Sequence, residues 1–264
     1  YVKFDENLKP QNTSNWETGI DLALFKSRVK LEYTLSYQDV KDQIFDVPTA
    51  GSSGYQALRT NAGRMTTWSH EFALNATFLD HADYSLDLGL NFTKVTNKVK
   101  ELAHGVESIM LGGFVEPQIR AQAGYTYPNI YGKAFKRTKD GSLLLRNGLP
   151  QATSASVNLG ECAPDFNMGF NLHARYKRLS LAATLDWQKG GCMYNGTLLT
   201  MNFFGVTKAS LDYHEGTMVA EGIDEATGKK NTVKVSKQDY YQAYNDVTEA
   251  GIYDTSYLKL RDVT

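Results

Sequence analysis

Apolar and polar residues alternate along this chain over unusually long runs. Between His70 and Asn97, Phe72, Leu74, Ala76 and Phe78 alternate with Glu71, Ala73, Asn75 and Thr77. After Asp80-His81-Ala82-Asp83, Tyr84, Leu86, Leu88, Leu90 and Phe92 alternate with Ser85, Asp87, Gly89, Asn91 and Thr93. Successive side chains of a strand point to opposite faces, so a period of two predicts strands with one apolar and one polar face. Both apolar sets fall on even numbers. Pairing across a five-residue loop, 79–83, sets Phe78 opposite Tyr84 and Leu74 opposite Leu88, with all apolar residues on one face.

Two further hairpins show the same device with a change of parity. Ile20, Leu22 and Leu24 lead to Val29, Leu31, Tyr33, Leu35 and Tyr37, which requires a two-residue turn at Lys26-Ser27. Phe170, Leu172, Ala174 and Tyr176 lead to Leu179, Leu181, Ala183, Leu185 and Trp187 across Lys177-Arg178. Soluble strands usually run five or six residues, whereas about ten alternating residues is the signature of a transmembrane β-strand.

The connections between these strands alternate as well. Short turns are followed by long polar stretches at about 39–60, 98–167 and 189–253, with a smaller hairpin expected over Tyr131–Arg146 around Lys139-Asp140-Gly141. Tyr257–Val263 reads as one more strand. Short turns on one side and long loops on the other are the habit of outer-membrane barrels. Aromatics mark both strand ends: Phe78, Tyr84 and Tyr176 beside the short turns, and Tyr37, Phe92 and Trp187 toward the long loops. From Tyr84 to Phe92 is roughly 26 Å of strand, or roughly 20 Å once tilted, close to the ~25 Å apolar band of such barrels. The predicted fold is therefore all-β, an antiparallel transmembrane β-barrel segment with long extracellular loops; its six or seven long strands are fewer than the eight of the smallest bacterial barrels, so it is expected to form an open part of a larger barrel.

Charge adds little to this picture. With 28 basic and 29 acidic residues there is no nucleic-acid footprint. No apolar run reaches the length of a transmembrane helix, which leaves a barrel open because its inner face is polar. The first residues, Tyr-Val-Lys-Phe-Asp, carry no initiator Met and no apolar leader, so either a leader has been removed or the chain is a piece of something larger, the second being the expectation.

No catalytic constellation stands out, and the expectation is that this is not an enzyme. Histidines 70, 81, 104, 173 and 214 are scattered without zinc-ligand spacing. Gly222 to Lys230 superficially resembles a phosphate loop but is one residue too long and lacks Ser/Thr after its Lys, so it reads as a polar turn. Asp21, Glu32, Asp87 and Asp186 fall on the polar face and read as lumen residues rather than an acid/base pair. Trp68, Tyr125, Tyr127, Tyr131 and Tyr194 are the candidate substrate contacts, expected on loops, since aromatics offer a flat apolar body with a polar tip. The register of the third hairpin sets Cys162 opposite position 193, one residue from Cys192, and Gly190-Gly191 could supply a bulge. A disulfide and two free thiols are both compatible with that spacing.

Several segments resemble the SusC/RagA-like TonB-dependent outer-membrane transporters. These are Leu8-Lys9-Pro10-Gln11 with Trp16-Glu17-Thr18-Gly19-Ile20-Asp21 and Phe25, and Asn61-Ala62-Gly63 with Glu71. Gly160, Pro164-Asp165-Phe166 and Gly169 follow, then Gly190-Gly191 with Tyr194-Asn195, then Gly205-Val206-Thr207-Lys208, Asn231-Thr232 and Asp239-Tyr240-Tyr241. The most specific is Asp254-Thr255-Ser256-Tyr257-Leu258-Lys259-Leu260-Arg261-Asp262-Val263-Thr264. Gln11 stands where that family usually has Glu. The resemblance implies that residues 1–264 are part of the receptor β-barrel domain, an internal segment of its second half, with plug, TonB-contacting segment and final strands absent. It further implies placement in the bacterial cell outer membrane and import of an oligosaccharide or peptide. The implied partners are outer-membrane lipid, a SusD-like surface lipoprotein, and TonB through parts outside this chain; no cofactor is implied. A soluble or surface-exposed β-rich carbohydrate-binding module is the alternative.

Overall fold

The computed structural model describes residues 1–103 and 105–264, so His104 lies outside the described residues. Seven long strands build one antiparallel sheet: β1 (Asn12–Leu24), β2 (Val29–Pro48), β3 (Ala57–Asp80), β4 (Tyr84–Leu102), β5 (Phe166–Tyr176), β6 (Leu179–Lys189) and β7 (Tyr257–Val263). Each pairs with its neighbours in sequence, and the sheet is open, with β1 and β7 at its edges. A short N-terminal strand, Val2–Phe4, runs parallel to the start of β3.

Two of the three registers follow from parity alone. Leu24 pairs with Val29 across Lys26-Ser27, whose positive φ angles of 58° and 65° twist the chain as a tight hairpin needs. Tyr176 pairs with Leu179 across Lys177-Arg178. The middle hairpin departs from expectation by two residues. Leu74 faces Leu90 rather than Leu88, because a bulge at Phe78 adds a residue to β3 and the turn shortens to 81–83. The displacement is even, so the faces are unchanged. His81 stacks on Tyr84 at 4.8 Å, and the Arg175 guanidinium donates to the carbonyls of His81 and Ala82 at 3.2 and 3.0 Å, fixing that turn.

The apolar positions therefore line up across the sheet in rows. Leu24, Val29, Ala76, Leu88, Leu172, Ala183 and Val263 form one row. Leu22, Leu31, Leu74, Leu90, Phe170, Leu185 and Leu260 form the next. Ile20, Tyr33, Phe72, Phe92, Met168, Trp187 and Leu258 form the third. No charged residue interrupts these three rows. Aromatics bound them, with Tyr84 beside Tyr176 toward the short turns, and Trp16, Tyr37 and Trp68 side by side toward the long connections. An apolar band with aromatic girdles on one face and a polar opposite face is the wall of a transmembrane β-barrel.

The expected long connection at 39–60 is instead mostly strand. β2 runs to Pro48 and β3 starts at Ala57, leaving only 49–56 as a loop. A bulge around Lys41-Asp42, with Asp42 at φ 55°, breaks the alternation and hides the continuation in the sequence. Arg59 and Asp46, paired at 2.7 Å, help hold the projecting hairpin together. The 24 residues of β3 make roughly 80 Å of strand, well beyond the thickness of a bilayer core.

The two later excursions carry structure of their own. Ser108–Gly113, Gln118–Gln122, Asn129–Gly132 and Val157–Glu161 form a four-stranded sheet. The reversal around Asp140-Gly141 is present, closed by Gly141 N–H to the Thr138 carbonyl at 3.0 Å. A second tight turn at Asn147-Gly148, both at positive φ, joins Leu144–Arg146 to Leu149–Pro150. The polar stretch after β6 holds two helices, α1 (Gly196–Phe203) and α2 (Lys237–Asn245). Asn195 and Ser236 cap them by accepting from Leu198 and Asp239 N–H, each at 3.0 Å.

Candidate functional site

On the long-loop side, the two excursions are tied to each other by charge and packed around a small core. Arg146 Nε donates to Glu225 Oε2 at 2.7 Å, and Lys136 Nζ lies 3.6 Å from the same carboxylate. Those hydrogen bonds and charges hold the Glu225 carboxyl below its usual range. Glu249 pairs with Arg137 at 2.9 Å and accepts from Phe135 N–H at 2.6 Å. Between these ties, Leu145, Ala220 and Tyr240 are buried against Leu143, Leu149, Met218 and Val235.

This core is the floor of a cleft of about 820 Å³. Its walls include Tyr240, Tyr241 and Tyr244 from α2, Asp140 and Ser142 from the first excursion, and Glu221 and Lys230 from the second. Tyr213 stacks on Tyr241 at 3.5 Å with rings 12° apart, and Tyr244 packs on Phe135 at 4.6 Å. Burial, followed by the neighbouring Tyr244 and Tyr241, pushes the Tyr240 phenol pKa up. At neutral pH its hydroxyl is therefore a neutral donor and acceptor. Flat rings edged by hydroxyls, carboxylates and an ammonium suit a ligand with both apolar faces and polar edges. Sequence inspection missed α2, whose signal was Ser236 three residues before Asp239, a capping pattern.

The residues singled out from sequence do not share one place. Trp68 is not on a loop; it sits within β3 on the lipid-side face, 4.6 Å from Tyr37 and 5.6 Å from Trp16, in the outer aromatic girdle. Tyr131 is only 6% exposed, donates to Gln122, and lies under the Arg120 guanidinium at 5.7 Å, so it packs the excursion internally. Tyr125 is about half exposed, and its carbonyl accepts from Val99 N–H at 3.0 Å, anchoring the loop to β4. Tyr127 precedes a cis proline, Pro128. Tyr194 packs against Gly196 and Gly251 and helps line a second cavity, also about 820 Å³, with Phe114, Met193 and Tyr253. Cys162 and Cys192 line the same cavity as free, half-buried thiols. Burial and the neighbouring Cys192 raise the Cys162 thiol to about 11.

The polar-face carboxylates are spread along the sheet. Asp186 accepts from Arg261 Nε and the Tyr257 hydroxyl at 3.0 and 3.1 Å. Asp87 accepts from Thr77 at 2.6 Å, and Asp21 faces Glu32 across β1 and β2. Among the described residues no group of three or more His, Cys, Asp or Glu is placed to hold a metal ion.

A sheet with one lipid face, one polar face and structured loops on a single side defines the wall and mouth of an outer-membrane-type β-barrel. The family comparison is specific. The model for "TonB dependent receptor-like, beta-barrel" matches residues 1–224, and the chain belongs to that family. TonB-dependent receptor P3 of Formosa agariphila is 24% identical over 98% of this chain, and TonB-dependent receptor SusC of Bacteroides thetaiotaomicron is 24% identical over 69%. The chain spans 27% and 20% of the lengths of those relatives. The RagAB peptide importer in its open-open state has the same fold, with a TM-score of 0.68 and 19% identity over 97% of this chain and 28% of that one.

Proposed function

We propose that this chain forms a stretch of the barrel wall and much of the extracellular mouth of an outer-membrane transporter that imports an oligosaccharide nutrient. The reading places the protein in the bacterial outer membrane as a transporter rather than an enzyme. TonB energises it through parts of the protein outside residues 1–264, and a SusD-like surface lipoprotein closes over its loops. The observation that carries the reading is the tyrosine-walled cleft on the long-loop side, above a wall whose apolar rows match a bilayer. Sugar rings present apolar faces and hydroxyl edges, which Tyr241, Tyr244, Asp140 and Glu221 complement. Peptide import is a second reading, favoured by the fold shared with a peptide importer.

Uptake and growth tests distinguish the two. With the full-length gene deleted and restored, growth on glycans as sole nutrient should depend on the gene, and growth on peptides should not. Tyr244→Ala should weaken ligand binding about tenfold, the loss of one aromatic contact, while the protein still assembles in the membrane. Unchanged growth on every substrate, with the protein abundant in the outer membrane, would exclude transport.

A further inference from the structure

Two tyrosines are buried among the described residues, and only one of them has its hydroxyl paired. Tyr131, at 6% exposure, donates to Gln122. Tyr240, at 8%, packs against Leu145 and Ala220, and its hydroxyl has no hydrogen-bond partner among the described residues. The same side chain lines the tyrosine-walled cleft, and its hydroxyl is not sealed from it. Buried polar groups are as a rule hydrogen-bonded, so this hydroxyl takes its partner from what enters the cleft.

Two carboxylates share the wall of that cleft. The turn around Gly141 fixes Asp140: the hydroxyls of Thr138 and Ser142, the latter at 3.1 Å, donate to its oxygens and hold the carboxyl below its usual range. Ile223 and Asp224 pair in parallel with Leu144 and Leu145. Carried back two residues, that register sets Glu221 beside Ser142, one strand spacing or roughly 5 Å away. Gly222 permits the close approach, since at its φ of 153° a Cβ would lie 2.6 Å from the Leu143 carbonyl oxygen. Asp140 and Glu221 thus flank Ser142, both exposed and neither with an ion-pair partner among the described residues. Lys230, across an isolated bridge from Ile223, pairs with neither. Two carboxylates against one ammonium leave the cleft with a surplus of negative charge, beside the ring of Tyr241 that Tyr213 backs at 3.5 Å.

We propose that this cleft selects an oligosaccharide bearing a protonated amino group, with the ammonium between Asp140 and Glu221, a sugar face on the Tyr241 and Tyr244 rings, and a neighbouring sugar hydroxyl on Tyr240. The inference rests on the reading of the cleft as a glycan site and adds what the glycan carries. An ammonium is attracted by both carboxylates and by the faces of the tyrosine rings. A neutral or N-acetylated sugar strips water from the carboxylates without supplying a counter-charge, and a uronate or sulfate ester is repelled by them.

Calorimetric titration of the full-length protein in neutral detergent tests it, using a glucosamine tetramer and its N-acetylated form at mildly acidic pH, where amines are protonated and carboxylates ionised. The free amine should bind about tenfold more tightly, the effect of two partly exposed ion pairs, and added salt should erode the difference. Asp140→Asn combined with Glu221→Gln should lower its affinity to that of the acetylated tetramer. Glu107→Gln, on the first excursion but outside the cleft, should keep the preference. Equal binding of the two tetramers by the unaltered protein would overturn the inference and leave the glycan reading standing. A preference that survives in the double variant would overturn it too, as would calcium that tightens binding of the acetylated form, which would assign the carboxylates to a metal ion. So would binding of neither amino sugar: a glucose tetramer bound in their place would spare the glycan reading, and tetralysine bound in their place would give the cleft to a peptide. The acetylation and salt arms use the unaltered chain, so poor folding of a variant cannot rescue the idea.

Discussion

At the scale of single residues, position on the sheet decides role more than residue type does. Trp68 looked like a ligand contact because it follows a stretch expected to be a loop; the strand continues through it, and its ring belongs to the interfacial girdle. The cleft tyrosines, two of them within the family-like Asp239-Tyr240-Tyr241 segment, are illegible as ligand contacts for the converse reason. Tyr240, Tyr241 and Tyr244 meet Asp140 and Ser142 only when the two excursions fold together, and nothing local announces a contact across a hundred residues. Cys162 and Cys192 were placed near each other from register, and they share a cavity wall. Because the Cys162 thiol is raised to about 11, its thiolate at pH 8 should be roughly a hundredfold scarcer than that of an ordinary cysteine. Maleimide should therefore label it slowly in the folded protein and rapidly after denaturation. The sign for stability follows from the same shift. The neutral thiol favours the folded state fully below about pH 8.5, and that contribution fades as pH rises toward 11. Fast labelling of native protein at pH 8 would contradict the burial.

At the scale of elements, the alternation was legible wherever the ladder is unbroken. Parity at Lys26-Ser27 and Lys177-Arg178 fixed two registers because each turn adds only two residues. Parity could not reveal the bulges at Phe78 and Lys41-Asp42, since an extra residue in one strand leaves no mark in its composition. The faces nevertheless make a sharp mutational prediction. Leu90→Arg, in the middle of the three apolar rows, should cost roughly 2–4 kcal/mol at the bilayer midplane. Asn91→Arg, one residue away on the polar face, should be close to neutral for insertion. Heat-modifiable mobility of the full-length variants on gels reads both, and equal behaviour of the pair would mean that the faces are wrongly assigned.

At the scale of the whole molecule, the open sheet sets a limit. β1 and β7 each present a row of backbone donors and acceptors to whatever lies beyond them. In hydrocarbon each unsatisfied group costs several kcal/mol, and exposed edges template aggregation. Residues 1–264 produced alone in detergent should therefore be polydisperse by light scattering. A monodisperse closed barrel made from these residues alone would refute that. Apart from the reversal around Asp140-Gly141, the helices and small sheets of the excursions are not legible in the sequence, because their apolar residues are too few and irregularly spaced to show a period. Glu225 and Glu249 tie the two excursions together around the buried Leu145, Ala220 and Tyr240.

The bulges also have an evolutionary consequence. The pairing of β2 with β3 slips at Val40/Gln43, and that of β3 with β4 slips at Arg64/Met65, both just outside the row of Trp16, Tyr37 and Trp68. In a continuous ladder a single inserted residue would turn every side chain beyond it to the wrong face. Here such a change in the projecting hairpin is absorbed at the slip, before it reaches lipid. The rim of the mouth can thus lengthen, shorten or diverge in sequence from one descendant to the next, while the wall beneath it keeps its alternation and its place in the membrane.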